Sequence, residues 1–311
     1  MIIIKFKLLE QTDKAIFDSF FHDRYYENSH CNFTNLFMWR NPYQIAWAVK
    51  DEVLYLKGSW QGKEFAMQPF GPKEKMPKAI GFWLNYFKEK NTDFIMSGLE
   101  KSMVEEMDKH YPKRFHISED RDNFDYVYET AALISLSGRK YHSKKNHLNS
   151  FKKTYPEAIY QPITSEISLR CKLSINTWYK QHGTFDDPIL TEERKAIIEV
   201  LNNFEYLNLK GGAIFIGERV VAFTFGEQLN ENTAVIHVEK ADPEIRGAYT
   251  AINQAFCQRE WAHLQYVNRE EDMGIEGLRK AKLSYKPVKM VEKFVAVLKD
   301  DLNPIDPNLS I

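Results

Sequence analysis

Cysteine is scarce: the 311-residue chain has three, Cys31, Cys171 and Cys257, far apart and with no CxxC pair. That excludes a disulfide framework and a paired-cysteine zinc site, and it suits a reducing compartment. No run of about 18 apolar residues is free of charge, so no transmembrane helix is expected. The opening Met-Ile-Ile-Ile-Lys-Phe-Lys is too short and too interrupted for a signal peptide and reads as a β-strand. A cytoplasmic protein is expected, peripheral to the membrane if its substrate is a lipid. Net charge is also nearly absent, at −1, so no global field holds nucleic acid or an anionic surface and any such contact needs a local patch. P-loop, GxGxxG, HExxH and GxSxG motifs are all missing, and no metal is implied. Ser174, His182 and Asp187 match no hydrolase spacing.

What is present is a folded chain. It is 43% hydrophobic, 14% aromatic and 27% charged, the opposite of the balance that disorder needs. Its length exceeds what one core usually supports, so two domains are expected, 1–136 and 137–311. In the first, a strand Ile2–Leu8 precedes a helix capped at Thr12. β-runs follow at Gln44–Val49, Val53–Trp60 and Phe65–Pro69, and Pro77 opens a helix. Phe94–Ser97 reads as a strand, Ser102–His110 as a helix and Asp125–Leu136 as a strand leaving the domain. Phe33, Phe37, Met38 and Trp39 read as core, a lipid-facing groove being the alternative.

The second half gives helices at Ser143–Thr154, Ile167–Lys180 and Glu192–Leu201, and a short strand at Ile159–Pro162. Three strands come next, Leu207–Ile216, Arg219–Leu229 and Thr233–Glu239, the first two joined by a tight Gly217-Glu218 turn. Helix Tyr249–His263, strand Gln265–Asn268, helix Gly274–Leu283 and strand Val288–Leu298 complete the order, and the tail from Asp300 reads as frayed. Strands interleaved with helices of this length indicate an α/β fold, here with mixed sheets.

Three segments carry chemistry. The first, Gly138 to Phe151, holds Arg139, Lys140, Lys144 and Lys145 with Tyr141 and Phe151 interleaved. A helix start beside such cations suits a phosphate, from an acceptor stem, a lipid head or coenzyme A, whereas the plain alternative is a solvated helix face. The second runs from Val238 to Gly247 through Glu239, Asp242 and Arg246. The third runs from Asn268 to Lys282 and places Asp272 at a helix start, with Arg279 and Lys282 three apart on one face.

Together these segments resemble stand-alone proteins related to the C-terminal domain of phosphatidylglycerol lysyltransferases, and more distantly the Fem-type peptidoglycan aminoacyltransferases. The resemblance implies two tandem GNAT-like acyltransferase domains, with the donor site in the second. It implies transfer of an aminoacyl group from an aminoacyl-tRNA-like donor, or of an acyl group, to an amine or hydroxyl acceptor, a lipid among the candidates. No cofactor is required; the tRNA acceptor end or acyl-coenzyme A would enter as donor. By the same resemblance Glu239 and Lys282 are the expected catalytic residues, and Asp242, Arg246, Asp272 and Arg279 the expected substrate contacts. Tyr285 stands where GNAT enzymes place a tyrosine that protonates the leaving group, though packing under the last strand explains it as well.

The usual coenzyme A loop, Arg or Gln, two residues, Gly, one residue, Gly or Ala, is not matched. Aligned on Gly247, this chain has Glu244 first and Tyr249 last, a carboxylate that repels pyrophosphate and a side chain that blocks backbone approach. Two alternatives stay open: a coenzyme A-dependent N-acyltransferase with an unusual loop, and a catalytically silent ligand-binding module.

Overall fold

Two-residue turns with left-handed backbone set much of the register. Asp51 and Glu52 have φ of 51° and 62°, the mirror-image turn that matches strand twist, and they join β2 (Ala46–Lys50) to β3 (Val53–Trp60). The computed structural model describes residues 4–21, 25–181 and 188–299. It divides into two compact units, Met1–Asp125 with Glu271–Ile275 and Val291–Ile311, and Tyr126–Glu270 with Glu276–Met290.

The first unit opens with β1 (Lys7–Leu8), α1 (Lys14–Phe21) and α2 (Phe33–Trp39) ahead of the β2–β3 hairpin. It continues with β4 (Lys63–Met67), α3 (Met76–Lys90), β5 (Ile95–Leu99), α4 (Lys101–His110) and β6 (Phe115–Glu119). The second unit contains β7 (Asp125–Glu129), α5 (Thr130–Ser135), α6 (His142–Thr154), β8 (Ile159–Pro162), α7 (Ser165–Gln181) and α8 (Pro188–Asn202). Then come β9 (Lys210–Ile216), β10 (Arg219–Asn230), β11 (Thr233–Ala241), α9 (Ala248–Glu260), β12 (Tyr266–Asn268), α10 (Glu276–Leu283) and β13 (Lys289–Val291). The last strand, β14 (Phe294–Leu298), returns to the first unit's sheet.

Each unit has a seven-stranded mixed sheet, ordered β1-β2-β3-β4-β5-β14-β6 in the first and β13-β7-β12-β11-β10-β9-β8 in the second. Trp83, Phe87, Phe94 and Met96 lie in the first core; Tyr128, Ile236, Phe256, Trp261 and Val267 lie in the second. Pro77 sits in the first turn of α3, where its missing N–H costs nothing. No helix among the described residues is long and apolar enough to cross a membrane.

Several elements differ from the sequence expectation. The first helix is capped by a reciprocal pair at Glu10 and Asp13 rather than by Thr12. The aromatic run forms α2, capped by the Asn32 side chain, which accepts from Asn35 N at 3.1 Å. β6 has no counterpart in the expected order. Asp125–Leu136 is a strand only to Glu129 and then turns into α5. The single strand expected over Val288–Leu298 is two, in different sheets. Between them lies Lys293, fully buried in an ion pair, which takes the chain out of one ladder before it joins the next. The N-terminal strand is described only as Lys7–Leu8, and the tail from Asp300, like His182 and Asp187, lies outside the described residues.

The feature that positions the site is a parting of strands. β11 pairs in parallel with β12 over three positions, the last being Val235 with Asn268. β12 then stops, while β11 runs on to Ala241, held on its other side by β10. A bulge skips His237 in that second ladder and twists the strand where the gap opens.

Candidate active site

The gap beyond the β11–β12 ladder is spanned by charge. Glu239 projects from β11 and accepts from Arg269 Nη2 at 2.9 Å, Arg269 being the first residue past β12. The other Glu239 oxygen accepts from Asn253 Nδ2 on α9, also at 2.9 Å. Both ionic side chains are nearly sealed, at 13% exposure for Arg269 and 10% for Glu239. Burial opposes the Arg269 charge, and the Glu239 carboxylate more than restores it. The guanidinium also lies 4.6 Å from the Tyr285 ring centroid and 5.5 Å from that of Tyr128, where its weakly hydrated face is favoured. Two atoms of this cluster remain buried without a hydrogen bond: Arg269 Nη1, a donor, and Asn253 Oδ1, an acceptor.

Lys144 completes the cluster from α6. Its ammonium stands 4.1 Å from the Tyr285 ring centroid. Burial, reinforced by the Arg269 charge and partly offset by Glu239, lowers its pKa to about 8. Helix geometry separates Lys144 from its basic neighbours. Lys144, Leu148 and Phe151 share one face, with the two apolar residues in the core, while Arg139, Lys140 and Lys145 are exposed. Gly247 brings this face close. It caps α9 with φ of 87°, and a Cβ there would run into the His147 carbonyl, one turn beyond Lys144. Tyr285 is 4% exposed, its hydroxyl donates toward Thr250 Oγ1 at 3.4 Å, and burial lifts its pKa to about 12. It holds its proton, and its ring contacts both cations.

A second pairing crosses the same gap. His237 Nδ1 lies 2.8 Å from Glu270 and Nε2 lies 3.1 Å from Glu227 on β10. Burial alone would lower the His237 pKa, but the two carboxylates raise it to about 9, so the buried ring is an imidazolium at neutral pH. Its folded pKa lies above the unfolded value of about 6.5. The stability it contributes is therefore full below that value and lost as pH rises through about 9. The urea midpoint of the protein should fall over this window, and His237→Gln should flatten the fall; an unchanged slope in the variant would refute the assignment.

The structure distributes the sequence-predicted residues unevenly. Glu239 and Lys144 enter one cluster with Arg269, Asn253 and Tyr285. Lys282 adjoins it from behind: its ammonium donates to the backbone carbonyls of Arg269 and, at 3.1 Å, Glu270, so it fixes the chain that carries Arg269. Asp242 is buried and organises its own loop, accepting from Glu244 N at 3.0 Å and pairing with Arg219. Arg246 is exposed on that turn, and Arg279 is half-buried on α10. Asp272 lies in the first unit, accepting from Gly274 N at 2.9 Å and pairing with Arg121 at 3.4 Å. Helix α10 begins four residues later, at Glu276, because Gly274 takes a left-handed turn with φ of 72°. Arg269, Asn253 and His237 escaped the sequence reading. The available signal was a histidine and a glutamate two residues apart after the apolar run Ala234–Ile236.

The family model described as phosphatidylglycerol lysyltransferase, C-terminal, matches residues 23–297. A crystal structure of a conserved protein of unknown function from Bacteroides thetaiotaomicron VPI-5482 superposes with a TM-score of 0.89 at 37% identity, covering 96% of this chain and 100% of that one. The structure of L-PGS from Bacillus licheniformis superposes at 0.67 with 13% identity, covering 96% of each chain. An uncharacterized protein of Mycoplasmoides gallisepticum is 27% identical over 173 residues, which span 55% of each chain; this chain thus matches about half of that relative's length. With two mixed α/β units and parted central strands, the chain belongs to the family of phosphatidylglycerol lysyltransferase C-terminal domains.

Proposed function

We propose that this chain transfers an aminoacyl group from an aminoacyl-tRNA-like donor to a hydroxyl or amine, with the reaction at the Glu239 cluster of the second unit. The observation that carries the choice of donor is the loop between β11 and α9. In coenzyme A-dependent relatives of this fold, such a loop offers its amides to pyrophosphate. Here the amides of Glu244, Ile245 and Ala248 are already taken, by the Asp242 carboxylate, the Asp242 carbonyl and the Ile245 carbonyl. Asp242 is itself paired with Arg219, and the parted strands are bridged by Glu239–Arg269 and His237–Glu270. A pyrophosphate brought to this loop would face a carboxylate and find three of its amides occupied.

The transfer itself needs little beyond position. The acceptor oxygen or nitrogen attacks the ester carbonyl, a new C–O or C–N bond forms, and the ester C–O bond breaks. The proton leaves the acceptor through Glu239 and reaches the departing ribose oxygen. Lys282 acts as a positioning residue, through the carbonyls it holds beside Arg269.

The test presents the purified protein with two labelled donors, a mixed aminoacyl-tRNA pool and acetyl-coenzyme A, over vesicles containing phosphatidylglycerol and a soluble amine. Label should move from tRNA only, and Glu239→Gln should slow transfer by roughly 10²–10⁴-fold. Transfer from acetyl-coenzyme A alone, or full activity in the glutamine variant, would overturn the reading.

A further inference from the structure

The charges of the Glu239 cluster do not balance. Lys144 and Arg269 supply two cations and Glu239 one carboxylate. The tyrosines and the cysteine packed around them are neutral: burial raises the pKa of Tyr128, and holds those of Tyr285 and Cys257 at about 12, while the nearby Glu270 carboxylate is paired with His237. Lys282 adds a further ammonium behind Arg269. Among the described residues Lys144 has no carboxylate partner, and its ammonium rests on an aromatic ring instead. Arg269 Nη1 is a buried donor with nothing to donate to. Leaving such a donor unpaired in the interior is unfavourable. A net positive site with an unfilled guanidinium edge is built to receive something negative.

We infer that Lys144 and Arg269, two cations that contact the same Tyr285 ring, form a subsite for a small oxyanion, a carboxylate or phosphoryl group carried by a substrate. One oxygen would take the free Nη1 of Arg269, and another the Lys144 ammonium, which swings off the ring to meet it. Arg269 Nη2 stays with Glu239, so the fork that holds the base also holds the anion. The exposed cations Arg139 and Lys140, in the turn before α6, and Lys145, on the helix itself, draw anions toward the helix without discriminating among them.

The inference deepens the transferase reading by naming a group that its substrate carries. The test involves no turnover, so the two can fail separately. Lysines are converted to their ¹³C-dimethyl forms, which keep the charge, and the Lys144 resonance, identified by its loss in Lys144→Arg, is followed against pH. In chloride its midpoint should stand near 8. Inorganic phosphate or acetate at matched ionic strength should raise that midpoint by roughly one pH unit, since a nearby anion favours the ammonium. By linkage, the anion should bind more weakly as pH rises through the midpoint. A shift with phosphate alone identifies a phosphoryl group, and a shift with acetate alone a carboxylate. Arg269→Met should abolish the shift. If that variant does not fold, Arg269→Lys, which keeps a cation for Glu239 but removes the Nη1 edge, should reduce anion affinity at least about tenfold. A midpoint that moves no further in phosphate and acetate than in chloride overturns the subsite, whether or not the protein catalyses transfer.

Discussion

Arg269→Met is expected to lower the unfolding free energy of the second unit by about 3–5 kcal/mol, the usual cost of stranding one partner of a buried ion pair. The stranded group is Glu239, which keeps only the Asn253 amide as donor in a site that is 10% exposed. Glu239→Gln should be milder, because a neutral amide can still accept from Arg269 and the leftover guanidinium keeps the Tyr285 and Tyr128 faces. The double variant, Glu239→Gln with Arg269→Met, should be more stable than Arg269→Met alone, with a coupling of about 0.5–3 kcal/mol. Hydrogen exchange at the β11 amides, followed through urea denaturation, reports this unit selectively. A single variant within about 1 kcal/mol of the parent, the range of exposed pairs, would mean that water reaches the pair and that the gap is open. Under the proposed reaction both single variants should slow transfer, Glu239→Gln by removing the proposed proton acceptor and Arg269→Met by releasing it.

The periodicities of the sequence carried most of the fold. β3 and β8 lie where alternation put them, at Val53–Trp60 and Ile159–Pro162, and the helices α3, α4, α6 and α9 fall within a few residues of the expected spans. Local signals of this kind do not depend on distant partners. The candidate site was harder to read because its partners are distant. The run Arg269-Glu270-Glu271-Asp272 has the composition of a solvated turn. In the structure each charge goes inward to a different partner: Arg269 to Glu239, Glu270 to His237, Glu271 to Lys293 and Asp272 to Arg121. No spacing rule announces such a division, since the partners lie about 20 to 150 positions away along the chain. The basic stretch shows the reverse. Its composition marked Arg139, Lys140, Lys144 and Lys145 as one group, and helical geometry turns only Lys144 toward Tyr285. Lys282 looked like a contact for the donor; the backbone carbonyls it holds could not be foreseen from its side chain.

The first unit supplies the other large effect. Lys293→Met is expected to destabilise that unit by about 3–5 kcal/mol, because Lys293 and Asp125 are both 0% exposed and 2.7 Å apart. The ammonium also donates to Ser29 Oγ at 3.2 Å and to Glu271 at 3.3 Å. Methionine fills the volume but leaves two carboxylates facing one another with no cation between them. Asp125 is not held by the lysine alone, since it accepts from the Ser29 amide at 2.8 Å and the Ser29 hydroxyl at 2.9 Å. Pairing Lys293→Met with Asp125→Leu should therefore recover only part of the loss: the buried charge is gone, but the Ser29 amide is then an unpaired donor, at about 1–3 kcal/mol. Asp125→Asn in place of leucine keeps an acceptor for that amide and should recover more. Urea denaturation followed by hydrogen exchange at the β5 and β14 amides gives the three values, and the order leucine double above asparagine double would contradict the role of the Ser29 amide. The position of Lys293 makes the effect matter for the fold, because it anchors the short link after β13 from which β14 enters the first sheet between β5 and β6. Loss of the ammonium should therefore expose the β14 amides before those of β3, a sequence of opening set by where one buried charge is placed.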